Sequence, residues 1–157
     1  MFLLDVFSEY VKKKSDSVLF LIGDGVLLND LRAKAQKLHL ENKVFIEGRK
    51  DTVNEYLNMF DVFVFPSLHE GFGLAAVEAQ VNGLPVLVSD TVPSDIKIIE
   101  TVTFLSLKAS AKGWAEKLLA MDIQRCADTE QNFKNSGLVL KDMVDKIYSD
   151  YQMLLKK

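Results

Sequence analysis

Asp61-Val62-Phe63-Val64-Phe65-Pro66 leads through Gly71-Phe72-Gly73-Leu74-Ala75-Ala76-Val77-Glu78 to Pro85-Val86-Leu87-Val88-Ser89, and this stretch decides the fold. Its two apolar runs are too short for helices and are apolar at successive positions rather than alternating ones. That is the pattern of strands buried on both faces. Residues 71–82 between them read as a helix closed by Gly83 just past its end. A strand, a helix and a second fully apolar strand make a parallel unit, because parallel neighbours need a crossover.

The same grammar extends outward in both directions. Upstream, Val44 to Ile46 reads as a short strand before a helix over 51–59. Val18 to Ile22 is another continuous apolar run, stopped by Gly23-Asp24-Gly25 and followed by a helix over about 29–38. Residues 2–13 place Phe2, Leu3, Val6, Phe7, Tyr10 and Val11 at helical spacing. Downstream, Val102 to Leu105 is a weaker strand, and helices are expected over 110–121 and 139–155 with a polar connection between them. The fold class that follows is α/β: a Rossmann-like three-layer α/β/α sandwich with a parallel sheet. It is read as one domain over 1–157 with a helical segment from 123 to 157. Doubly wound sheets open with a strand and this chain opens with a helix, so the sheet is expected to lack its first strand. An exposed sheet edge and self-association are expected to follow.

Composition narrows the function classes. The 157 residues are 48% hydrophobic and 26% charged, as in packed soluble domains. A net charge of −3 gives no global positive field for nucleic acid or anionic lipid. One cysteine, Cys126, permits neither an intrachain disulfide nor a thiolate metal site, which points to a reducing compartment and a cytoplasmic location. Asp5, Glu9 and Lys12 to Lys14 interrupt the first hydrophobic residues, so secretion is not expected.

In open parallel sheets ligands bind outside the carboxyl ends of the strands. The loop from Ser67 through Leu68, His69, Glu70, Gly71, Phe72, Gly73 and Leu74 is the informative one. Its glycines allow close approach of an anion, and helix N-terminal amides from Phe72 to Ala75 would point at it. Glu70 and Glu78 would stand on either side of such an anion and accept from hydroxyls. The turn Gly23-Asp24-Gly25 looks like the start of a dinucleotide fingerprint, with Glu47 downstream. Leu28 stands where the third glycine is needed, which disfavours NAD. His69 adjoins the site, whereas His39, Cys126 and Trp114 read as structural.

Glu70 and Glu78, with seven residues between them, resemble the paired-glutamate signature of retaining, family 4 glycosyltransferases of the GT-B fold. The resemblance spans residues 2–122 and includes the Gly23-Asp24-Gly25 turn, Val44 to Gly48, Asp61 to Ser67 and Gly83 to Asp90. Residues 92–94, 104–107 and 114–115 are similar to bacterial members that build capsular or extracellular polysaccharide. The resemblance implies that this is the C-terminal, donor-binding half of such an enzyme. Glu70 and His69 would then contact the donor sugar, with Glu70 the catalytic candidate, and Gly71, Phe72, Gly73 and Leu74 would meet the diphosphate. Glu78 would bind the ribose, with Gly48, Arg49, Gly23 and Gly25 around the nucleoside. Transfer of a hexosyl group from a nucleotide diphosphate sugar, UDP-linked ahead of GDP- or ADP-linked, would need no metal or cofactor. The acceptor would be a glycan or a lipid-linked sugar.

The family's N-terminal domain, with its acceptor site and the arginine and lysine that neutralise the leaving phosphates, has no counterpart among these residues. The isolated chain is therefore expected to be inactive, and the full enzyme to sit in the cytoplasm or at the inner membrane face. Two other readings stay open. One is a non-catalytic nucleotide or nucleotide-sugar module, or half of a split enzyme; the more distant one is an NAD-dependent Rossmann enzyme.

Overall fold

The computed structural model describes residues 1–155, so residues 156 and 157 of the expected 123–157 segment lie outside the described residues. In chain order the elements are α1 (Phe2–Val11), β1 (Leu19–Ile22), α2 (Leu28–Lys37), β2 (Val44–Gly48), α3 (Val53–Met59) and β3 (Phe63–Phe65). Then come α4 (Leu74–Val81), β4 (Val86–Ser89), a 3-10 turn (Ser94–Ile96), β5 (Val102–Leu105), α5 (Ala111–Ala120), α6 (Thr129–Asn135) and α7 (Leu140–Leu155). Every pairing is parallel, as the fully apolar runs required.

The expected single sheet is a layer in two pieces. β1 pairs with β2, and β3, β4 and β5 form a second sheet in that order. β4, flanked on both sides, is completely buried, whereas all residues of β1 and β3 are only half-buried despite being Leu, Phe, Ile or Val. The physical reason is lateral: each of these two strands has a neighbour on one edge only.

Helices tie the pieces together. On one face α1 buries Leu4 and Phe7 over Leu19, Leu21 and Val44, and buries Val6 against Leu87, Val64 and the indole of Trp114. Trp114 is wholly buried and donates its indole N–H to the Ser106 carbonyl at 3.0 Å, a core position as expected. On the other face Phe20 of β1 packs on Phe60, with ring centroids 5.7 Å apart, and α4 lies over β4 through Ala76, Ala79 and Val86.

Two departures from the expected elements have local causes. The helix expected over 71–82 begins only at Leu74, because Gly73 takes the left-handed conformation (φ +91°) and turns the chain immediately before it. The polar connection after α5 holds α6, whose Phe133 reaches the core beside Cys126. Just upstream, the Arg125 guanidinium donates to the carbonyls of Asn82, Leu57, Asn58 and Phe60, joining the ends of α3 and α4. The Cys126 amide donates to the Gly83 carbonyl at 2.9 Å, fastening the same turn. α7 is exposed from Leu140 to Met153, with Leu140, Val144, Ile147, Tyr148 and Tyr151 at helical spacing.

Candidate nucleotide-sugar site

The third apolar strand delivers the main group of expected residues. β3 ends at Phe65, Pro66 stops it, and the chain turns through 67–73 into α4. Gly73 favours glycine for two reasons. Its φ of +91° is one that other side chains rarely adopt, and a Cβ there would lie 3.0 Å from Val92 Cγ1. The N-terminus of α4 therefore rests directly against the loop after β4.

This end of α4 has no side-chain cap. The Gly73 carbonyl accepts from Ala76 and more distantly from Val77, and the amides of Phe72, Gly73, Leu74 and Ala75 have no protein acceptor among the described residues. Four free amides at the positive end of a helix dipole form a ready anion cradle. Leu74, Ala75 and Glu78 are all exposed, and at helical spacing they share one face, so the Glu78 carboxylate stands over the face that starts at these amides.

Glu70 is half-buried and lies 2.7 Å from the Ser67 hydroxyl, which is itself 3.2 Å from the His69 carbonyl. Neither Glu70 nor Glu78 has a cationic partner among the described residues. Both are thus free to accept from ligand hydroxyls. His69 and Leu68 are exposed on the outside of the turn.

A hydroxyl network that sequence reasoning missed holds this loop. The buried Ser89 and the exposed Thr91 both donate to the Ser67 carbonyl at 2.6 Å, and the two hydroxyl oxygens lie 3.0 Å apart. Gln80, wholly buried in α4, was also missed. Its amide nitrogen donates to the Ala76 and Ile96 carbonyls at 3.0 and 2.9 Å. Its oxygen accepts from the Ile98 and Ile99 amides at 2.7 and 3.3 Å. The only signal for either in the sequence is a polar residue inside an otherwise apolar pattern.

Gly23, Gly25, Gly48 and Arg49 form a second group, at the carboxyl ends of β1 and β2. The Gly23 amide donates to the Gly48 carbonyl at 2.8 Å, joining the two loops, and Gly48 is left-handed at φ +69°. Asp24 Oδ1 accepts from the adjoining Gly25 amide at 2.8 Å, a local bond that shapes the turn. Arg49 is exposed. Lys50, first by its hydrogen bond and then by its charge, holds Glu47 below the usual carboxylate range, and Glu47 and Tyr56 together raise Lys50.

The residues from 2 to 137 match the family model of glycosyl transferases group 1. The chain belongs to that family. This group 1 chain is 38% identical over 101 residues to EpsF of Bacillus subtilis (strain 168), a match covering 64% of this chain and 26% of EpsF. It is 43% identical over 76 residues to the UDP-Gal:alpha-D-GlcNAc-diphosphoundecaprenol alpha-1,3-galactosyltransferase of Escherichia coli, covering 48% of this chain and 20% of that enzyme. Among solved structures it resembles the pneumococcal O-GlcNAc transferase GtfA in complex with UDP and GlcNAc, with a TM-score of 0.74 and 19% identity, over 99% of this chain and 33% of that one. The fold is that of the C-terminal half of GT-B glycosyltransferases, as expected. The chain spans about a quarter or less of the curated relatives it matches. No helix among the described residues is long and apolar enough to cross a membrane.

Proposed function

We propose that this chain binds the nucleotide-sugar donor of a retaining, family 4 glycosyltransferase, with the diphosphate on the amides of Phe72 to Ala75. The observation that carries the reading is that uncapped cradle, flanked by Glu70 and Glu78 with no cation to occupy either. Glu70 accepts from donor-sugar hydroxyls with His69 beside it, and Glu78 accepts from the ribose hydroxyls. Gly71 and Gly73 keep the backbone bare for the phosphates. Gly23, Gly25, Gly48 and Arg49 border the base.

UDP is the proposed nucleotide, in keeping with the E. coli relative named for UDP-Gal and the GtfA structure that holds UDP and GlcNAc. In the reaction the bond from the anomeric carbon to the diphosphate breaks and a bond to the acceptor hydroxyl forms on the same face. The acceptor proton leaves with the diphosphate. No metal is assigned to the step. The acceptor is proposed to be a glycan or lipid-linked sugar in polysaccharide assembly, at or near the inner face of the membrane. Stabilising the departing charge needs cations that the site described above does not supply, so transfer is assigned to the assembled enzyme and not to these residues alone.

Calorimetric titration with UDP, GDP, ADP and NAD, repeated on Glu78→Ala, tests the reading. Saturable binding of one nucleoside diphosphate, at least tenfold weaker in the variant, is expected. Binding of NAD alone, or of UDP with equal strength by both proteins, overturns it.

A further inference from the structure

Glu70 has several rotatable bonds between its backbone and its carboxylate, and it lies in the loop between β3 and α4, where neither a strand nor a helix restrains it. A carboxylate placed this way would have to be ordered by each ligand it meets, at a cost in affinity. The loop supplies its own restraint. Ser67 Oγ lies 2.7 Å from Glu70 Oε1 and 3.2 Å from the His69 carbonyl oxygen. A hydroxyl has one hydrogen to give. The shorter separation and the charge of the acceptor both favour the carboxylate, so Ser67 donates to Glu70. No other hydrogen bond holds that carboxylate among the described residues, which leaves Oε2 open.

Ser67 is itself fixed from the other side. The register that pairs Phe65 with Val88 brings the segment after β3 alongside Ser89, the last residue of β4. The wholly buried Ser89 and the exposed Thr91 each donate to the Ser67 carbonyl at 2.6 Å. Two donors use both lone pairs of that oxygen, so the Ser67 backbone cannot turn without breaking its bonds to the end of β4. One residue thus joins a core strand, through its carbonyl, to Glu70, through its hydroxyl.

We propose that Ser67 is a positioning residue for the donor sugar: its hydroxyl holds one oxygen of Glu70 so that the other is presented to a sugar hydroxyl. Ser67 acts on the sugar only through Glu70. This rests on the donor-site reading above and adds to it a residue outside the glutamate pair. An ionised carboxylate accepts and cannot donate, so a held Oε2 selects a donor sugar whose hydroxyl meets it. The nucleotide does not depend on Ser67, because it is held by Glu78 and the amides at the start of α4.

The test is calorimetric titration of the whole chain with UDP and with UDP-glucose, UDP-galactose and UDP-N-acetylglucosamine. The sugar nucleotide bound most tightly is then carried through Ser67→Ala, Ser67→Thr, Glu70→Ala and the double variant of Ser67→Ala with Glu70→Ala. Ser67→Ala is expected to weaken the sugar nucleotide about tenfold and UDP by less than about twofold, the retained UDP binding showing that the variant is folded. Ser67→Thr, which keeps the hydroxyl, should recover most of that loss. In the Glu70→Ala background Ser67→Ala should cost nothing further, because the group it acts through is gone. Equal losses for UDP and the sugar nucleotide would mean that Ser67 only shapes the loop, and they overturn the proposal. So does a Ser67→Ala loss that adds in full to that of Glu70→Ala, or one that Ser67→Thr shares. A parent that binds UDP and gains nothing from any of the sugars also overturns it while leaving the diphosphate cradle standing. A parent that binds none of these nucleotides removes the donor-site reading and the proposal with it.

Discussion

Replacing Gln80 by methionine keeps the length and nearly the volume of the side chain while deleting both of its polar groups. The side chain is completely buried, so water cannot replace what is lost. Four hydrogen bonds disappear. The Ala76 carbonyl keeps the Gln80 amide through the helix ladder, which leaves the Ile96 carbonyl and the Ile98 and Ile99 amides without partners. A buried orphan group costs about 1–3 kcal/mol. The 3.3 Å bond to Ile99 is the weakest of the three, and the added apolar contact of methionine offsets part of the loss. The net expectation is a destabilisation of about 3 kcal/mol, a large share of the stability of an ordinary domain. Urea denaturation followed by tryptophan fluorescence reads it through Trp114, with the midpoint falling and the slope unchanged. Gln80→Glu should be at least as damaging, since it loses the donor and buries a charge. A Gln80→Met unfolding free energy within about 0.5 kcal/mol of the parent's would show that these bonds contribute little.

Gly73→Ala should cost about 1–2 kcal/mol from its left-handed φ and its approach to Val92, and should weaken UDP binding; adding Val92→Ala should restore only the steric part, as paired denaturation and titration curves would show. Gly83→Ala should be worse, because φ is +78° and the new Cβ would lie 2.7 Å from the Cys126 carbonyl oxygen, so a melting temperature equal to the parent's would contradict the packing of that turn. Arg125→Lys should destabilise by about 1–2 kcal/mol by chemical denaturation, since a lysine cannot reach four carbonyls from a planar fork. Lys50→Met should make acid unfolding shallower. Glu47 is lowered in the folded state, so its contribution is full above the ordinary value of 4.5 and is lost as pH falls through the lowered one; parent and variant should converge in strong acid.

Much of this was legible from apolar runs alone. Val18 to Ile22, Asp61 to Phe65 and Pro85 to Ser89 each contain a strand, and the glycine-rich loop meets α4 where an anion site was expected. What could not be read is what depends on pairing. The register that brings Ser89 and Thr91 to the Ser67 carbonyl, across 22 and 24 positions, exists only once β3 and β4 lie side by side. The division of the sheet was equally hidden, because composition shows that a strand is apolar and not which edge is covered. The late start of α4 depends on one glycine being left-handed, which a sequence permits without requiring.

The shared acceptor at Ser67 bears on ligand entropy. Because the hydroxyls of Ser89 and Thr91 grip one carbonyl oxygen, the segments after β3 and β4 have little freedom to move independently. A molecule that touches only the α4 side still meets a surface whose other half is already immobilised, so the ordering cost is incurred during folding rather than at capture. Removing either hydroxyl would shift that cost to the moment of binding, and it would surface as a less favourable binding entropy with little change in enthalpy.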